Sequence, residues 1–234
     1  MNSRRRRSST AAVVDCGFTL LEIMVAIFIF AVVMTLVFGS FRAVFSSADA
    51  LGGDVAVFET ARGCLGRMAA DLDAQYVSHY PRYSKPDFNE PEGPYRLVGD
   101  VTDVAGQSFG RLQFTSLAHL SINGDSRQGI ARVVYYAHQR PDDSVVLRRA
   151  DNLFPFPDFE ENAEDPILCE DLIALEFGYV DAEGQASDQW DSESADSDYA
   201  TPRAVDIRLT IGQPSRPMTF TTRITLHAYR EPAP

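Results

Sequence analysis

From residue 18 to residue 38 the chain is an apolar run rich in Ile, Val, Phe and Met, and Glu22 is its only charge. About twenty such residues is the length a helix needs to cross a bilayer core, so a transmembrane helix is predicted here. The apolar pattern then thins without stopping. Phe41, Val44 and Phe45 fall at helical spacing. Beyond Gly52-Gly53, Val55, Phe58, Leu65, Met68 and Leu72 recur in three- to four-residue steps, with Arg62, Arg67, Asp71 and Asp73 between them. This predicts an amphipathic helix extension over 40–76 whose apolar stripe packs on a globular domain, with Cys64 beside the stripe. Gly52-Gly53 is where that helix is expected to kink or break, since glycine is about 1 kcal/mol worse than alanine in a helix interior.

The pattern changes after residue 76. Residues 81–94 are rich in Pro, Tyr and charge and read as a loop. Alternation then takes over at 111–116, 130–138, 145–150, 172–180, 204–211 and 218–229, six predicted strands. Residues 139–144 read as the turn of one hairpin, and 212–215 as the turn of another. In the last pair Val205, Ile207, Leu209 and Ile211 share one face, opposite Phe220, Thr222, Ile224 and Leu226. Helices do not alternate with these strands. The expected class is therefore α+β, a long N-terminal helix packed on antiparallel sheet. Two acid-rich stretches, 153–166 and 182–201, interrupt the strands and are expected as surface loops able to display a binding face. The domain reading is a leader over 1–17, a transmembrane helix over 18–39, the helix extension over 40–76 and a β-rich domain over 77–234.

The start of the chain decides the compartment. Arg4 to Arg7 precede a small residue, Gly17, and the apolar run follows it. A secretory signal has the opposite order, with its small-residue cleavage site after the apolar core. Cutting after Gly17 would discard the basic leader and keep the helix. The arginines favour a cytoplasmic N-terminus, which places the rest of the chain outside the inner membrane. A carboxylate near lipid is a functional candidate whose partner must be named. For Glu22 that partner is a free α-ammonium on Phe18, of the same chain or of a neighbouring subunit. The alternative is that Glu22 snorkels unpaired in the headgroup layer.

Charge and cysteines narrow the classes further. The 234-residue chain carries −12, and removing the leader's four Arg and one Asp leaves about −15. Such a balance argues against nucleic acid, whose affinity rests on Lys and Arg. Cys16 leaves with the leader. Cys64 and Cys169 then remain, either as a disulfide in an oxidising compartment or as two small buried side chains. No hydrolase, zinc-protease or phosphate-loop motif occurs, His79, His119, His138 and His227 are scattered, and neither an enzyme nor a cofactor is expected. Asp181, Glu183, Asp188 and Asp191 are weak calcium candidates that lack the full twelve-residue ligand ladder, so no metal site is expected. Trp190 is expected to pack on its own domain.

Gly17-Phe18-Thr19-Leu20-Leu21-Glu22 ahead of an apolar helix resembles the class III signal of type IV pilins and of type II secretion pseudopilins. Asp15 and Cys16 stand where those proteins often carry a basic or polar pair. The resemblance implies cleavage between Gly17 and Phe18 by a prepilin peptidase, N-methylation of Phe18, and a role for Glu22 in subunit recruitment. A second likeness covers most of the chain. The Arg67 and Asp71 helix, the 111–116 strand, the Val-Val-Tyr-Tyr and Val-Leu-Arg-Arg strands, the 172–181 segment and the 201–209 stretch resemble, in that order, the J-type minor pseudopilin of type II secretion. That likeness implies a pseudopilin-like fold with curled antiparallel sheets. It also implies a single-pass inner-membrane protein with its globular domain in the periplasm, at the tip of a pseudopilus that supports export of folded proteins. The implied partners are the I-, K- and H-type minor pseudopilins, the major pseudopilin, the secretin and exported proteins. Two other readings stay open: a minor pilin of a type IV pilus, and a membrane-tethered enzyme or binding module.

Overall fold

Thr19 opens the first element. Its Oγ1 accepts a hydrogen bond from the Glu22 backbone N–H at 3.3 Å, which satisfies one of the orphan donors at a helix start. A single 54-residue helix follows, α1 (Leu20–Asp73). The computed structural model describes residues 19–79, 81–86, 93–120 and 127–232, leaving aside the side chains of 41–53. Gly17, Phe18 and Cys16 therefore lie outside the described residues, as do the side chains of Phe41, Val44 and Phe45.

Leu20–Ser40, the first 21 residues of α1, is long and apolar enough to cross a membrane. At about 1.5 Å per residue it spans roughly 30 Å, the thickness of a bilayer core. Thr35 and Ser40 donate their hydroxyls to the carbonyls of Ala31 and Leu36, at 2.7 and 2.9 Å, so neither hydroxyl is left unsatisfied in apolar surroundings. Of the kink or break expected at Gly52-Gly53, the break does not occur, and the helix runs on through both glycines. Two compact units meet there in sequence, residues 1–53 and residues 54–234.

Within the second unit, α1 ends at Asp73 and the chain passes directly into sheet contacts. The Tyr76 N–H donates to the Thr115 carbonyl at 2.8 Å, and the Leu117 N–H to Ala74 at 2.9 Å. Among the described residues ten strands follow: β1 (Val98–Val104), β2 (Gln107–Ser116), β3 (Ala131–Gln139), β4 (Val145–Leu153), β5 (Ile167–Cys169), β6 (Leu172–Val180), β7 (Ala186–Ser187), β8 (Trp190–Asp191), β9 (Ala204–Gln213) and β10 (Arg216–Thr225). They form a six-stranded sheet, β5-β4-β3-β2-β1-β8, and a four-stranded sheet, β10-β9-β6-β7. Every pairing is antiparallel. The two expected hairpins form, closed by Gln139 opposite Val145 and by Gln213 opposite Arg216.

Four strands exceed the expected six. β5, β7 and β8 are two or three residues long, too short to show alternation. β1 carries Asp100 and Asp103 on a half-exposed strand, which masks its period. The last strand also stops at Thr225 rather than at residue 229.

One core joins α1 to the inner faces of both sheets. Ala61, Cys64, Met68 and Leu72 of the helix meet Leu112, Phe114, Val133, Tyr135 and Leu147 of the larger sheet and Leu175, Phe177, Val205, Ile207, Leu209 and Ile211 of the smaller. Fully burying a large apolar side chain is worth about 1.5–3 kcal/mol, so this stripe holds the end of α1 firmly. The stripe differs from the expected one. Val55 is 61% exposed, Phe58 is 52% exposed with its ring edge-on to Phe220 at 5.8 Å, and Val57 packs on the core beside the expected Leu65, Met68 and Leu72. Counting back in helical steps from Leu72 through Met68, Cys64 and Ala61 leads to Val57. Close packing also shows at Gly99, where a Cβ would fall 1.7 Å from Tyr179 Oη.

Candidate functional site

The helix carries the first candidate, Glu22, which is exposed one turn into α1. No side-chain partner meets it among the described residues. Its proposed partner, the Phe18 α-ammonium, lies outside them.

A second constellation was not expected from the sequence. Asp71, one of the polar positions between the apolar ones of the helix, is fully buried. It sits opposite Arg149 of β4, also fully buried, which donates to Asp71 Oδ2 from Nε at 2.6 Å and to Oδ1 from Nη2 at 3.2 Å. Tyr135 of β3 and Arg67 of α1 donate to the same carboxylate. Arg149 Nη1 donates to Asp151 at 2.6 Å, and His119 meets the other oxygen of Asp151 at 2.7 Å. The Ala118 carbonyl accepts from Arg67 Nη2 at 2.6 Å. Burial, then the charge of Asp71, lifts the Tyr135 phenol well above its usual range, so it stays a donor. Burial alone would lower Arg149, but Asp71 and Asp151 more than offset it and hold the guanidinium charged. The cluster thus ties α1 to β3, β4 and the 118–120 segment with charge-assisted hydrogen bonds.

A third cluster fastens the C-terminal segment. Arg230 is 1% exposed, and its guanidinium lies 3.4 Å from the centre of the Tyr83 ring. It donates to the carbonyls of Tyr199 and Ser192 and to Glu193 Oε1, the last at 3.0 Å. Tyr83 in turn donates to Glu193 Oε2 at 3.1 Å. Nothing in the local sequence marks Arg230, because its partners come from three distant segments.

The two acid-rich stretches lie at the surface as expected, and each is also tied to a sheet. Residues 154–166 cover the outer face of the larger sheet, where Phe159 packs on Tyr136, Val134 and Ala150. Tyr136 donates to Asp165 at 2.8 Å and Arg148 to the Ala163 carbonyl at 2.9 Å. Residues 182–201 contain β7 and β8, which pair with different sheets. Trp190 packs inward as expected, donating Nε1–H to the Ala200 carbonyl at 3.0 Å.

The calcium candidates are not assembled into a site. Asp181, Glu183 and Asp191 border a cavity of about 480 Å³ that Asp188 does not line. Asp181 caps its own turn by accepting from the Gln185 N–H at 2.7 Å, around Gly184 with φ +85. Asp191 is gripped at both oxygens by Arg96, at 2.8 and 2.6 Å. Among the described residues no group of three or more His, Cys, Asp or Glu side chains converges as metal ligands would. Cys64 and Cys169 are brought together, both as buried free thiols of the main core.

The paired carboxylates make stability depend on acid. Burial pushes Asp151 and Asp191 upward, but His119 and Arg149 in one case and Arg96 in the other outweigh it and hold both below the usual carboxylate range. Their contribution is present above an unfolded value of about 3.9 and drains away as pH falls through the lower folded values. Asp165, lifted by burial, works in the opposite sense. The thermal midpoint should therefore fall steeply below about pH 4. An Asp191→Asn variant should show a shallower fall, and an equal fall would remove Asp191 from the account.

Comparison with known proteins agrees with this arrangement. The family model for type II secretion system (T2SS), protein J, matches residues 39–220. The model for the prokaryotic N-terminal methylation motif matches residues 14–38, which include Gly17, Phe18 and Glu22. No individual curated protein matches the chain.

Proposed function

Because the chain belongs to the protein J family of the type II secretion system, and is thus a minor pseudopilin anchored by its N-terminal helix, we propose that it works at the tip of a periplasmic pseudopilus. The observation that carries this reading is α1. One helix offers an apolar 21-residue segment at its start and, at its other end, a stripe locked to two sheets through Met68, Leu72 and Asp71. An element so built suits lateral assembly in lipid at one end and a folded, partner-facing domain at the other.

In this reading the leader 1–17 is removed between Gly17 and Phe18 by the prepilin peptidase, and Phe18 is N-methylated. Residues 18–39 stay in the inner membrane as a single span, residues 40–76 continue the helix, and residues 77–234 lie in the periplasm. The I-, K- and H-type minor pseudopilins and the major pseudopilin are the partners, and the complex primes assembly and meets the secretin and exported proteins. The family is a structural component of the secretion apparatus, and the buried charges at Asp71, Arg149 and Arg230 are spent on holding segments together rather than offered to a substrate.

Two measurements test it. The full-length protein purified from membranes should begin at N-methylated Phe18 by terminal sequencing and mass. A start at Met1, or beyond Phe38, contradicts it. Detergent extracts should also yield the sibling pseudopilins with the tagged chain, and failure to recover any of them would remove the tip assignment.

A further inference from the structure

The leader takes Cys16 with it, so a mature chain would hold two cysteines and permit a single pairing. The fold brings those two together from distant positions. Cys64 belongs to the buried face of α1 between Ala61 and Met68, and it is 2% exposed. Cys169 ends β5 and is wholly buried in the same core. Both side chains are buried in that one core, and the neighbouring Cys64, together with burial, pushes the Cys169 thiol up.

The place where they meet needs a fastening. β5 has three residues and forms the edge of the six-stranded sheet, and its pairing with β4 shifts register between Leu147 and Arg148. So short an edge strand has few backbone hydrogen bonds to hold it. Asp171, immediately beyond, takes a left-handed φ of 50 as the chain turns into the other sheet.

We propose that Cys64 and Cys169 form an intramolecular disulfide that staples α1 to β5 in the mature protein. The proposal rests on the reading above, because a thiol pair is oxidised in the periplasm and kept reduced in the cytosol. The two-electron oxidant is a protein disulfide of the thiol-oxidoreductase class. One cysteine thiolate attacks a sulfur of that disulfide, giving a mixed disulfide and releasing one oxidoreductase thiolate. The other cysteine thiolate attacks the substrate-side sulfur, closing the Cys64–Cys169 bond and releasing the second oxidoreductase thiolate. The pair on this chain is oxidised by two electrons, and the oxidoreductase leaves as a dithiol carrying the two protons. Both sulfurs are inaccessible once the core has closed, so the exchange belongs to folding. The bond closes a loop that holds the whole of β1 to β4, and the constraint on the unfolded chain grows with loop length.

The test uses the full-length chain in its own membranes. Cells are quenched in acid, free thiols are blocked with N-ethylmaleimide under denaturing conditions, and the sample is then reduced and labelled with maleimide-polyethylene glycol. The first reagent blocks Cys16 in any unprocessed chain. Two polymer increments on a monomeric band are expected in the wild type, and none in Cys64→Ser. Wild-type chain without increments overturns the bridge. Protease access in spheroplasts, scored on the same cells, then tells which premise failed. An accessible domain with reduced cysteines refutes the pairing itself, and a protected domain refutes the periplasmic placement along with it.

Discussion

Replacing Asp71 with alanine is expected to cost the folded domain about 3–5 kcal/mol, the usual penalty for stripping one partner from a buried ion pair. Domains of this kind are stable by only about 5–15 kcal/mol, so the variant should sit near the edge of folding. The reason is geometric. Asp71 receives Arg149 at both oxygens, and Arg67 and Tyr135 share the same carboxylate. Removing it leaves Arg149 with Asp151 and a carbonyl, at a position with no access to water. Arg149→Met should be costly for the mirror reason. The double change Asp71→Leu with Arg149→Met should cost much less than the two single penalties together, because the two fully buried charges go together while Asp151 keeps His119 and Arg67 keeps the Ala118 carbonyl. Tyr135→Phe, which deletes one hydrogen bond and keeps the ring, should cost only about 1–2 kcal/mol. Thermal unfolding of the detergent-solubilised full chain measures all four. An Asp71→Ala chain as stable as wild type would mean that the carboxylate is hydrated, contrary to the packing described.

That result bears on what a sequence can disclose. The membrane segment was legible because bilayer thickness imposes a length and a composition, and Leu20–Ser40 satisfies both. The hairpins at 139–145 and 213–216 were legible because period-two alternation flanks a polar turn. The burial of Asp71 was not legible, for the same reason that these were. Periodicity places a residue on a face, but it is blind to a cation arriving from seventy-eight positions further along the chain. Arg230 is hidden in the same way, since its partners Tyr83, Ser192 and Tyr199 converge only through tertiary structure. The acid-rich stretches were legible as surface segments but not in what they cover. Residues 154–166 lie at the surface as read, but that reading did not show that Phe159 and the main-chain carbonyls of the segment cap the outer face of a sheet. Composition reports average polarity and not which atoms turn inward. Cys64 and Cys169 are an intermediate case. The sequence named both and left their pairing open, and only the tertiary fold buries them in one core.

The acidic carboxylates show how such convergence also removes candidates. Asp191 had the right donor chemistry for a hard cation, but Arg96 occupies both of its oxygens. Asp181 is committed to its own turn. A negative surface is therefore compatible with a domain whose inner charges are all working structurally. It also fits a function in which contacts between protein surfaces, not ligands, carry the specificity.

Glu22→Ala is expected to reduce incorporation into assembled pseudopili by roughly tenfold or more while leaving the β-rich domain folded. Glu22 is exposed and lies at the start of α1, far in sequence from the buried stripe that begins at Val57, so its loss should not touch the core. Its value, in the reading proposed here, arises only between subunits. The α-ammonium released on Phe18 by cleavage after Gly17 would meet the carboxylate of a neighbouring helix and fix the stagger between them. Lipid tails are as apolar as Leu or Ile, so burying apolar side chains drives no association between helices there, and polar pairs count for more of the specificity. Such pairs are worth about 1–2 kcal/mol each in model helices, and every 1.4 kcal/mol is tenfold in affinity. Loss of one such pair per subunit accounts for the expected drop. Glu22→Asp keeps the charge on a shorter arm and should retain part of the function. Glu22→Gln keeps the shape without the charge and should resemble alanine. The comparison needs two readings from the same cells: the share of the chain recovered in sheared or cross-linked pseudopili, and the protease resistance of the domain in membranes. Wild-type incorporation by the alanine variant would show that the carboxylate merely snorkels. A loss of protease resistance in step with the loss of incorporation would instead place its role in the stability of the single chain.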